Sequence, residues 1–413
     1  MKTEGDPVSK RYDTDVCIAG GGPAGMILGL LLAKQGVRVL VVESRMNFDR
    51  EYRGEVLQPL FIQMMEQIGL RAFLEEQPHM KLRTGELDFQ NRHLAQFRFS
   101  NLSKQVPYAI WMPQTILLNA LYEKAKKLPT FDMWFHSPVQ HLIKDGETVK
   151  GVIVHRDGEE IEVAARITVG ADGRFSGVRR LGEFELEYEH YQNDVVWFTF
   201  PKPEGYDNTL RFLLTPCHNY LLLPKYPNAI QGGITMGKGE WNEVQSRGIE
   251  ALRQELLQAS SVLADFAHSL TDFKPFTLLQ AKVQYIKLWA KDGCLLIGDA
   301  AHCASPVGAI GVSLAIGTAI VAAEVIVQSL RKNDVSVTQL RKVQDIRGDE
   351  IRRIHRLQML GEAAILSRSP LRRRLVPYGI RLISKTPLFR LIQRRLFILS
   401  KPLPIDPSFV FEN

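Results

Sequence analysis

Short apolar runs and polar breaks alternate near the start of the chain in the order strand, helix, strand. Residues 15–19 are a β-run that ends at a cluster of glycines, and residues 24–35 carry apolar side chains at helical spacing. Residues 37–42 are apolar except for Arg38 and predict a second strand. Because a strand, a helix and a parallel strand in this order form a βαβ unit, the pattern predicts an α/β body.

The pattern changes over residues 194–236, where short β-runs follow one another without intervening helices. Proline, glycine and asparagine separate these runs, which is typical of turns between antiparallel strands. Upstream, strand patterns cover residues 149–155 and 160–169, and the Asp157-Gly158 pair between them predicts a hairpin. We therefore expect an antiparallel sheet inserted into the α/β body.

Residues 303–323 form an uncharged run that is long enough to span a membrane. The run opens with Ser305-Pro306 and contains three glycines. A loop followed by a buried helix over residues 310–330 therefore fits the run better than a membrane span. Residues 1–12 are polar, and no secretory signal is expected there.

The composition is that of a globular chain with a sizeable core, since 45% of its 413 residues are hydrophobic and 23% are charged. Its cysteines are widely separated and show no paired spacing, so neither a metal site nor a redox dithiol is predicted. They are Cys17, Cys217, Cys294 and Cys303. A reducing, cytoplasmic location is expected.

The net charge of +7 arises from the C-terminal part of the chain. Residues 363–405 hold ten Lys or Arg and no acidic residue. Apolar residues recur among them at three- and four-residue steps, and Pro377 and Pro387 divide the segment into short helices. Two interpretations stay open: these helices pack on the body, or they lie on an anionic membrane surface as a peripheral anchor. No nucleic-acid partner is predicted.

A glycine-rich turn stands between the first strand and the first helix and fits G-x-G-x-x-G. Glycine lets the backbone approach a pyrophosphate, whose negative charge then lies at the positive end of the helix. A carboxylate ends the second strand, where it can accept hydrogen bonds from a ribose. The candidate nucleotide-binding residues are Gly20, Gly22, Pro23, Ala24, Gly25 and Glu43.

Two further segments carry acidic residues at turns. Asp172 belongs to the segment GADGRFSGVRR, and Asp299 follows the apolar strand over residues 294–297. A carboxylate at a strand end can bind a sugar-chain hydroxyl, and the helix start that follows can face a ring or a phosphate. The residues of that second turn and helix start are Pro306, Gly308 and Gly311. His302 lies in the same turn, where a structural hydrogen bond is favoured over catalysis.

Together, these three segments resemble the single-component FAD monooxygenases of the para-hydroxybenzoate hydroxylase fold over roughly residues 13–330. The resemblance implies that Asp172 lies in a segment serving FAD and a reduced nicotinamide, and that Asp299 binds the ribityl-pyrophosphate region. It also implies that Arg53 lies near the flavin and that Gln114 contacts FAD. The chain departs from the family pattern at Ser313, where asparagine is usual, and at Thr318, where an acid is often present.

The resemblance implies an α/β fold with a Rossmann-type FAD-binding domain, an inserted antiparallel-sheet substrate domain and a helical C-terminal tail. The FAD-binding domain is expected over residues 13–79, 108–185 and 281–335. The substrate domain is expected over residues 80–107 and 186–280, and the helical basic region over residues 336–413.

The activity implied is hydroxylation of an aromatic or polyketide-like substrate, with FAD as cofactor, NADH or NADPH as a transient co-substrate and O2. The alternatives are an FAD-dependent reductase of a prenyl or other lipophilic substrate and a non-catalytic, flavin-bound protein at a membrane surface. No catalytic residue is assigned. His218 and Tyr220 could orient a phenol, although ordinary strand positions are favoured. Trp197, Phe212 and Leu214 fit either a pocket roof or core packing.

Overall fold

A computed structural model of the chain describes residues 10–49, 56–101, 103–306, 308–365, 370–389 and 403–412. The strands of this described part are, in chain order, β1 (Lys10–Ala19), β2 (Val39–Val42), β3 (Val56–Leu57), β4 (Met80–Leu82), β5 (Thr84–Phe89), β6 (Arg92–Arg98), β7 (Ala109–Trp111), β8 (Phe131–Trp134), β9 (Val139–Asp145), β10 (Thr148–Arg156), β11 (Glu159–Gly170), β12 (Leu186–Pro201), β13 (Leu210–Leu214), β14 (Asn219–Lys225), β15 (Ala229–Gly237), β16 (Thr277–Ile286), β17 (Ala290–Lys291), β18 (Cys294–Leu296) and β19 (His302–Cys303). The helices are α1 (Pro23–Lys34), α2 (Pro59–Gln67), α3 (Arg71–Glu75), α4 (Gln114–Ala125), α5 (Gly177–Leu181), α6 (Glu240–Ser246), α7 (Ile249–Ala259), α8 (Ala264–Ser269), α9 (Gly311–Lys332), α10 (Val337–Leu340), α11 (Lys342–Ile365) and α12 (Pro370–Ser384).

The first sheet is mainly parallel and forms the α/β body. Its main path runs β17, β18, β11, β1, β2, β8, while β10 pairs with β11 and β9 pairs with β10. β1 pairs in parallel with β2 and β11, and β11 pairs in parallel with β18. The carboxyl ends of these strands therefore meet at one edge, which is where ligands bind in open α/β sheets.

The predicted βαβ unit is confirmed as β1, α1 and β2. Every residue of α1 from Ala24 to Ala33 is buried, since the helix packs against β2, α4 and α9. A helix that is apolar all round belongs in a core, and this explains its weak amphipathic pattern in the sequence. The predicted hairpin is also confirmed, because Asp157 and Gly158 both have positive φ between the antiparallel strands β10 and β11.

The second sheet contains the predicted antiparallel insertion. Its order is β19, β16, β12, β15, β14, β13, β5, β6, and all pairs are antiparallel except β13 with β5. One face, the outer face, carries Phe198, Tyr220 and Ile234 and is covered by α6, α7 and α8. The opposite face, the inner face, carries Trp197 and Leu223. No strand was predicted at β5, β6 or β19, although residues 80–107, which include β5 and β6, were expected to belong to the substrate domain.

A small third sheet, in the order β3, β7, β4, packs on the inner face. Trp111 of β7 and Leu82 of β4 lie in one apolar cluster with Trp197 and Leu223. Ala309, which precedes α9 in the chain, also packs on this cluster. The inner face, the third sheet and the segment before α9 therefore meet.

The long apolar run forms α9, which by length and composition could cross a membrane. Its most apolar stretch is 72% buried inside the protein, and it packs against α1, α2 and α11. The prediction of a buried helix is therefore confirmed. The α/β fold class is confirmed as well, whereas the division into domains at the stated residues stays a prediction.

Candidate cofactor and substrate site

The glycine-rich turn holds three chain segments in close contact. A Cβ added to Gly20 would lie 2.5 Å from the carbonyl oxygen of Ala171, and one added to Gly25 would lie 2.0 Å from the carbonyl oxygen of Gly20. Gly20 also has a φ of +107°, which favours glycine. The end of β1, the start of α1 and the end of β11 can approach this closely only without side chains.

The start of α1 is not capped by a side chain. Its N-cap residue is Gly22, Pro23 begins the helix, and no acidic residue lies in the first turn. The free N–H groups and the helix dipole at such an end favour an anion. This geometry is what the G-x-G-x-x-G prediction requires, and Ala24 packs beside it against Gly298.

Glu43 lies at the end of β2 with only 3% of its surface exposed. Its Oε2 accepts a hydrogen bond from the Gly21 N–H at 2.8 Å, and its Oε1 accepts one from the Arg45 N–H at 3.0 Å. The carboxylate therefore holds the glycine turn to β2. Its contact with a ribose stays a prediction.

Asp172 caps the short helix α5. Its carboxylate accepts hydrogen bonds from the Ser176 hydroxyl at 2.5 Å and from the N–H groups of Gly177 and Val178 at 2.7 and 3.0 Å. Burial raises the pKa of Asp172, and these hydrogen bonds partly offset that effect. The structure thus gives Asp172 a local structural role, and its contact with a cofactor stays a prediction.

The buried Arg179 links the Asp172 segment to the Asp299 turn. Its guanidinium donates to the carbonyl oxygens of Ala300 at 3.0 Å and of Arg174 at 2.9 Å. Asp299 itself lies in a 3-10 turn over Gly298–Ala300, directly after β18. The three predicted motifs therefore meet at the carboxyl edge of the parallel sheet.

The segment before α9 is held from two sides. The Gln58 side chain donates to the carbonyl oxygen of Gly308, and the Gln358 side chain donates to the carbonyl oxygen of Ser305 at 3.1 Å. The Ser305 hydroxyl also donates to Glu362, whose exposed fraction is 4%. Burial raises the pKa of Glu362, and hydrogen bonds from Ser305 and Asn193 offset part of that increase. We call the hydrogen bonds of Ser305 with Gln358 and Glu362 the clamp on Ser305, and Pro306 directly follows it in the chain.

The space beside this segment suits a bound group. A Cβ added to Gly308 or Gly311 would contact nothing within 4 Å. Within the described ranges, the buried Gln114 Oε1 and Ser313 Oγ have no hydrogen-bond partner. Ser313 lies in the first turn of α9, so its hydroxyl belongs to this helix start, whereas Gln114 begins α4. Arg53, another predicted flavin contact, lies outside the described residues.

Three residues that hold this segment were missed in the sequence: Gln58, Gln358 and Glu362. Gln58 stands in the same short stretch as Arg53 and could have been found there. Gln358 and Glu362 lie about fifty residues beyond the loop and carry no motif.

His302 has a structural role, as the sequence favoured. The Thr318 hydroxyl donates to the Leu314 carbonyl at 2.9 Å, so the His302 Nε2–H is the donor in its 2.8 Å bond with Thr318. Burial lowers the pKa of His302 well below its ordinary value. The neutral ring therefore ties β19 to α9 through Thr318.

The structure does not support a phenol-binding role for His218 and Tyr220. Tyr220 lies on the outer face of the second sheet, while its neighbour Leu221 packs with the inner-face cluster. The Glu255 carboxylate bonds His218 Nδ1 at 2.5 Å and the Tyr220 hydroxyl at 2.7 Å. These side chains therefore join the sheet to α7, away from the cofactor candidates.

Of the predicted pocket-roof residues, Trp197 and Phe212 pack with the inner-face cluster. Leu214 instead packs with Leu94 and Ala95 beneath α12. One group of described residues could hold a metal ion: ligand atoms of Glu86, Asp88 and His93 lie within 4.8 Å of one another. Arg211 lies 3.7 Å from Glu86, so a cation already faces this group.

A protein-family model described as an FAD binding domain matches residues 13–337. The 6-methylpretetramide 4-monooxygenase of Streptomyces rimosus is 32% identical, over 94% of this chain and 93% of that protein. Among solved structures, Pseudomonas aeruginosa PqsL in complex with 2-aminobenzoylacetate superposes with a TM-score of 0.74 at 25% identity, covering 88% of this chain and 98% of that one. The p-nitrophenol 4-monooxygenase of Pseudomonas putida shares the fold, with a TM-score of 0.77 at 18% identity over 94% and 99% of the two chains.

Proposed function

The chain belongs to the FAD binding domain family and is an FAD-dependent monooxygenase, and from this premise we propose that it hydroxylates a polycyclic aromatic substrate of polyketide type. The observation that carries the proposal is the similarity to a monooxygenase named for such a substrate along nearly the whole of both chains. Reduced nicotinamide and O2 are the co-substrates. A second glycine fingerprint for a resident nicotinamide is absent from the sequence, so the nicotinamide binds transiently.

The residues proposed to hold FAD lie at the carboxyl edge of the first sheet and in the segment before α9, together with Gln114 at the start of α4. They are Gly20, Gly22, Pro23, Ala24, Gly25, Glu43, Gln114, Asp172, Asp299, Pro306, Gly308 and Gly311. When bound there, FAD supplies hydride acceptance and oxygen activation, which no side chain can provide.

The protein's own contribution is position and the exclusion of water. The inner face offers an apolar wall that includes Trp197, Leu210 and Leu223, and it packs on Ala309 beside the proposed flavin segment. An aromatic substrate between this wall and the flavin would be shielded from water, which limits loss of activated oxygen to side reactions. The hydrogen bonds of Ser305 with Gln358 and Glu362 hold this segment to α11.

The test measures nicotinamide oxidation, O2 consumption and product mass with a panel of polycyclic phenols. We expect slow oxidation without substrate, faster oxidation with an accepted phenol, and a product heavier by one oxygen atom. A panel of unsaturated isoprenoids provides the contrast. If only an isoprenoid accelerates oxidation and the product gains two hydrogens, the chain is a reductase and the proposal is wrong.

We also propose that α12 contacts anionic lipid. In its described part, Ile380 packs beneath the helix while Tyr378 and Leu382 are 65% and 75% exposed. Arg381 and Lys385 are also exposed and stand one and three residues from Leu382 in the chain. Each basic residue near an anionic surface contributes about 1 kcal/mol, in addition to apolar burial.

Flotation with anionic and neutral vesicles tests the lipid contact. Salt-sensitive binding to anionic vesicles is expected, and Leu382→Ser should weaken it. The matched control is Leu360→Ser, since Leu360 is 68% exposed but lies on α11. If the wild-type protein does not float with anionic vesicles at low salt, the proposed lipid contact of α12 is wrong.

A further inference from the structure

Two buried polar side chains lie close together on the inner face. In the antiparallel pairing of β12 with β15, Trp197 is opposite Gly233 and Thr199 is opposite Gln231. Residues directly opposite each other project to the same face, so Trp197 and Gln231 are diagonal neighbours, about 7–8 Å apart. Gln231 is also opposite Leu223 of β14, which belongs to the inner-face cluster.

One hydrogen-bonding atom of each side chain has no partner within the described part of the chain. These atoms are the Trp197 Nε1, a donor, and the Gln231 Oε1, an acceptor. The two residues are only 7% and 3% exposed. Because burial removes water from such atoms, a native protein normally pairs them with protein or with a ligand.

The residues around Trp197 hold its ring in place, but none of the described residues accepts a hydrogen bond from its indole N–H. A Cβ added to Gly233 would lie 2.7 Å from the indole ring, so the ring rests directly on this glycine. Its neighbours in the cluster include the apolar side chains of Val195 and Leu223. The indole therefore has a defined position next to a wall that offers it little hydrogen bonding.

The location connects this pair with the proposed reaction. The cluster that contains Trp197 also receives Ala309, which lies between Gly308 and Gly311. A ligand that covered Trp197 and Gln231 would therefore border the segment proposed to face the flavin. A donor and an acceptor on diagonal residues of one sheet face suit a flat ligand edge that carries an acceptor and a donor.

We propose that Trp197 and Gln231 form a two-point recognition site for the substrate, in which the indole N–H donates to a ring carbonyl and the Gln231 side-chain oxygen accepts from an adjacent hydroxyl or carboxamide. This inference rests on the proposed function and narrows it to aromatic substrates with a hydroxy-ketone or amide edge. Both residues bind the substrate, and neither transfers a proton or an electron in the reaction.

The test uses the FAD-loaded protein and two probes: a hydroxyanthraquinone whose phenol stands beside a ring carbonyl, and a hydroxyanthracene without carbonyls. Binding is measured from the change in flavin absorbance and fluorescence. Trp197→Phe keeps the apolar ring and removes the N–H, and Gln231→Met keeps the length and removes the oxygen. We expect each change to weaken hydroxyanthraquinone binding about tenfold and to alter hydroxyanthracene binding less than about threefold, since only the first probe loses a partner.

Trp289→Phe is the matched control. Trp289 is fully buried and its N–H also lacks a partner among the described residues, but it packs against His302 in the α/β body. This variant should bind both probes like the wild type. A double variant of Trp197 and Gln231 should lose less than the two single losses combined, because the two contacts hold one edge.

The outcomes separate this inference from the proposed function. Suppose that the wild type binds the hydroxyanthraquinone, and that the two variants either weaken the binding of both probes equally or weaken the binding of neither. The recognition site is then wrong, while the monooxygenase proposal stands. If the wild type binds neither probe and no phenol accelerates nicotinamide oxidation, the polycyclic aromatic substrate itself is wrong, and the recognition site falls with it.

Discussion

Gly25→Ala is expected to give a folded protein that has lost its yellow flavin. The added Cβ would lie 2.0 Å from the carbonyl oxygen of Gly20, and this contact is with backbone that cannot rotate away. The start of α1 must then shift, and with it the N–H groups proposed to receive the pyrophosphate. Relieving such a clash typically costs up to about 3 kcal/mol, which corresponds to about a hundredfold weaker FAD binding. The ratio of flavin absorbance to protein absorbance after gel filtration measures it.

Gly29→Ala on the same helix is the control for that variant. Its Cβ would approach the side chains of Phe131 and Val41 at 3.0 and 3.2 Å, and side chains can adjust by such amounts. Both variants change the same helix by one methyl group, so a general loss of packing would affect them alike. We expect only Gly25→Ala to lose flavin. Full FAD occupancy in Gly25→Ala would place the pyrophosphate elsewhere.

The sequence predicted those parts of the site that depend on local pattern. The turn from Gly20 to Gly25 was predictable because a strand, close glycines and an apolar helix follow one another within twenty residues. Glu43 was predictable because it ends the next strand of the same unit. The Asp157-Gly158 hairpin was predictable because its two positive φ angles restrict the residue types.

The clamp on Ser305 could not be predicted from the sequence, because it depends on how α11 packs. Gln358 and Glu362 are one helical turn apart and contact Ser305 only because α11 crosses α9. In the sequence of an amphipathic helix, these two residues cannot be distinguished from ordinary solvent-exposed polar residues. Ser313 is the opposite case, because the sequence alone shows that serine replaces the usual asparagine. The structure adds that its hydroxyl is buried without a hydrogen-bond partner among the described residues.

The sequence also could not predict which face of a strand meets the substrate where both faces of the sheet are covered. His218 and Tyr220 belong to an alternating pattern that places one set of side chains toward α7 and the other toward the inner face. Both sets are apolar or aromatic, so the pattern alone does not say which set meets the substrate. The covering helix α7 decides it, because Glu255 of that helix binds both side chains.

Glu255→Ala is expected to destabilise the second sheet by about 3 kcal/mol, the lower end of the cost of removing one partner from a buried ion pair, because Glu240 still contacts His218 Nε2 at 3.2 Å. Glu255 and His218 have side-chain exposures of 12% and 4%. Removing the carboxylate leaves the buried imidazole and the Tyr220 hydroxyl without their shared acceptor. Urea unfolding and hydrogen exchange of β14 and α7 measure the loss.

This loss should depend on pH. Burial acts to lower the pKa of His218, but the hydrogen bond and charge of Glu255, with Glu240, raise it overall. Burial acts to raise the pKa of Glu255, and the bond from His218 lowers it overall. The raised His218 pKa contributes stability below about pH 6.5 and loses it as pH rises through the folded value. The lowered Glu255 pKa contributes above about pH 4.5 and loses it as pH falls through the folded value. The difference between wild type and Glu255→Ala should therefore be largest between these two values.

His218→Gln then distinguishes a structural role from a catalytic one. If His218 only joins β14 to α7, this variant should unfold more easily while its substrate-stimulated nicotinamide oxidation, counted per bound FAD at low temperature, stays close to that of the wild type. The pH profile of the turnover number should also stay unchanged, because no proton of the reaction would pass through the ring. A variant with normal stability and a strongly reduced turnover number would instead indicate that His218 acts on the phenol. That result would contradict a purely structural role for the outer face.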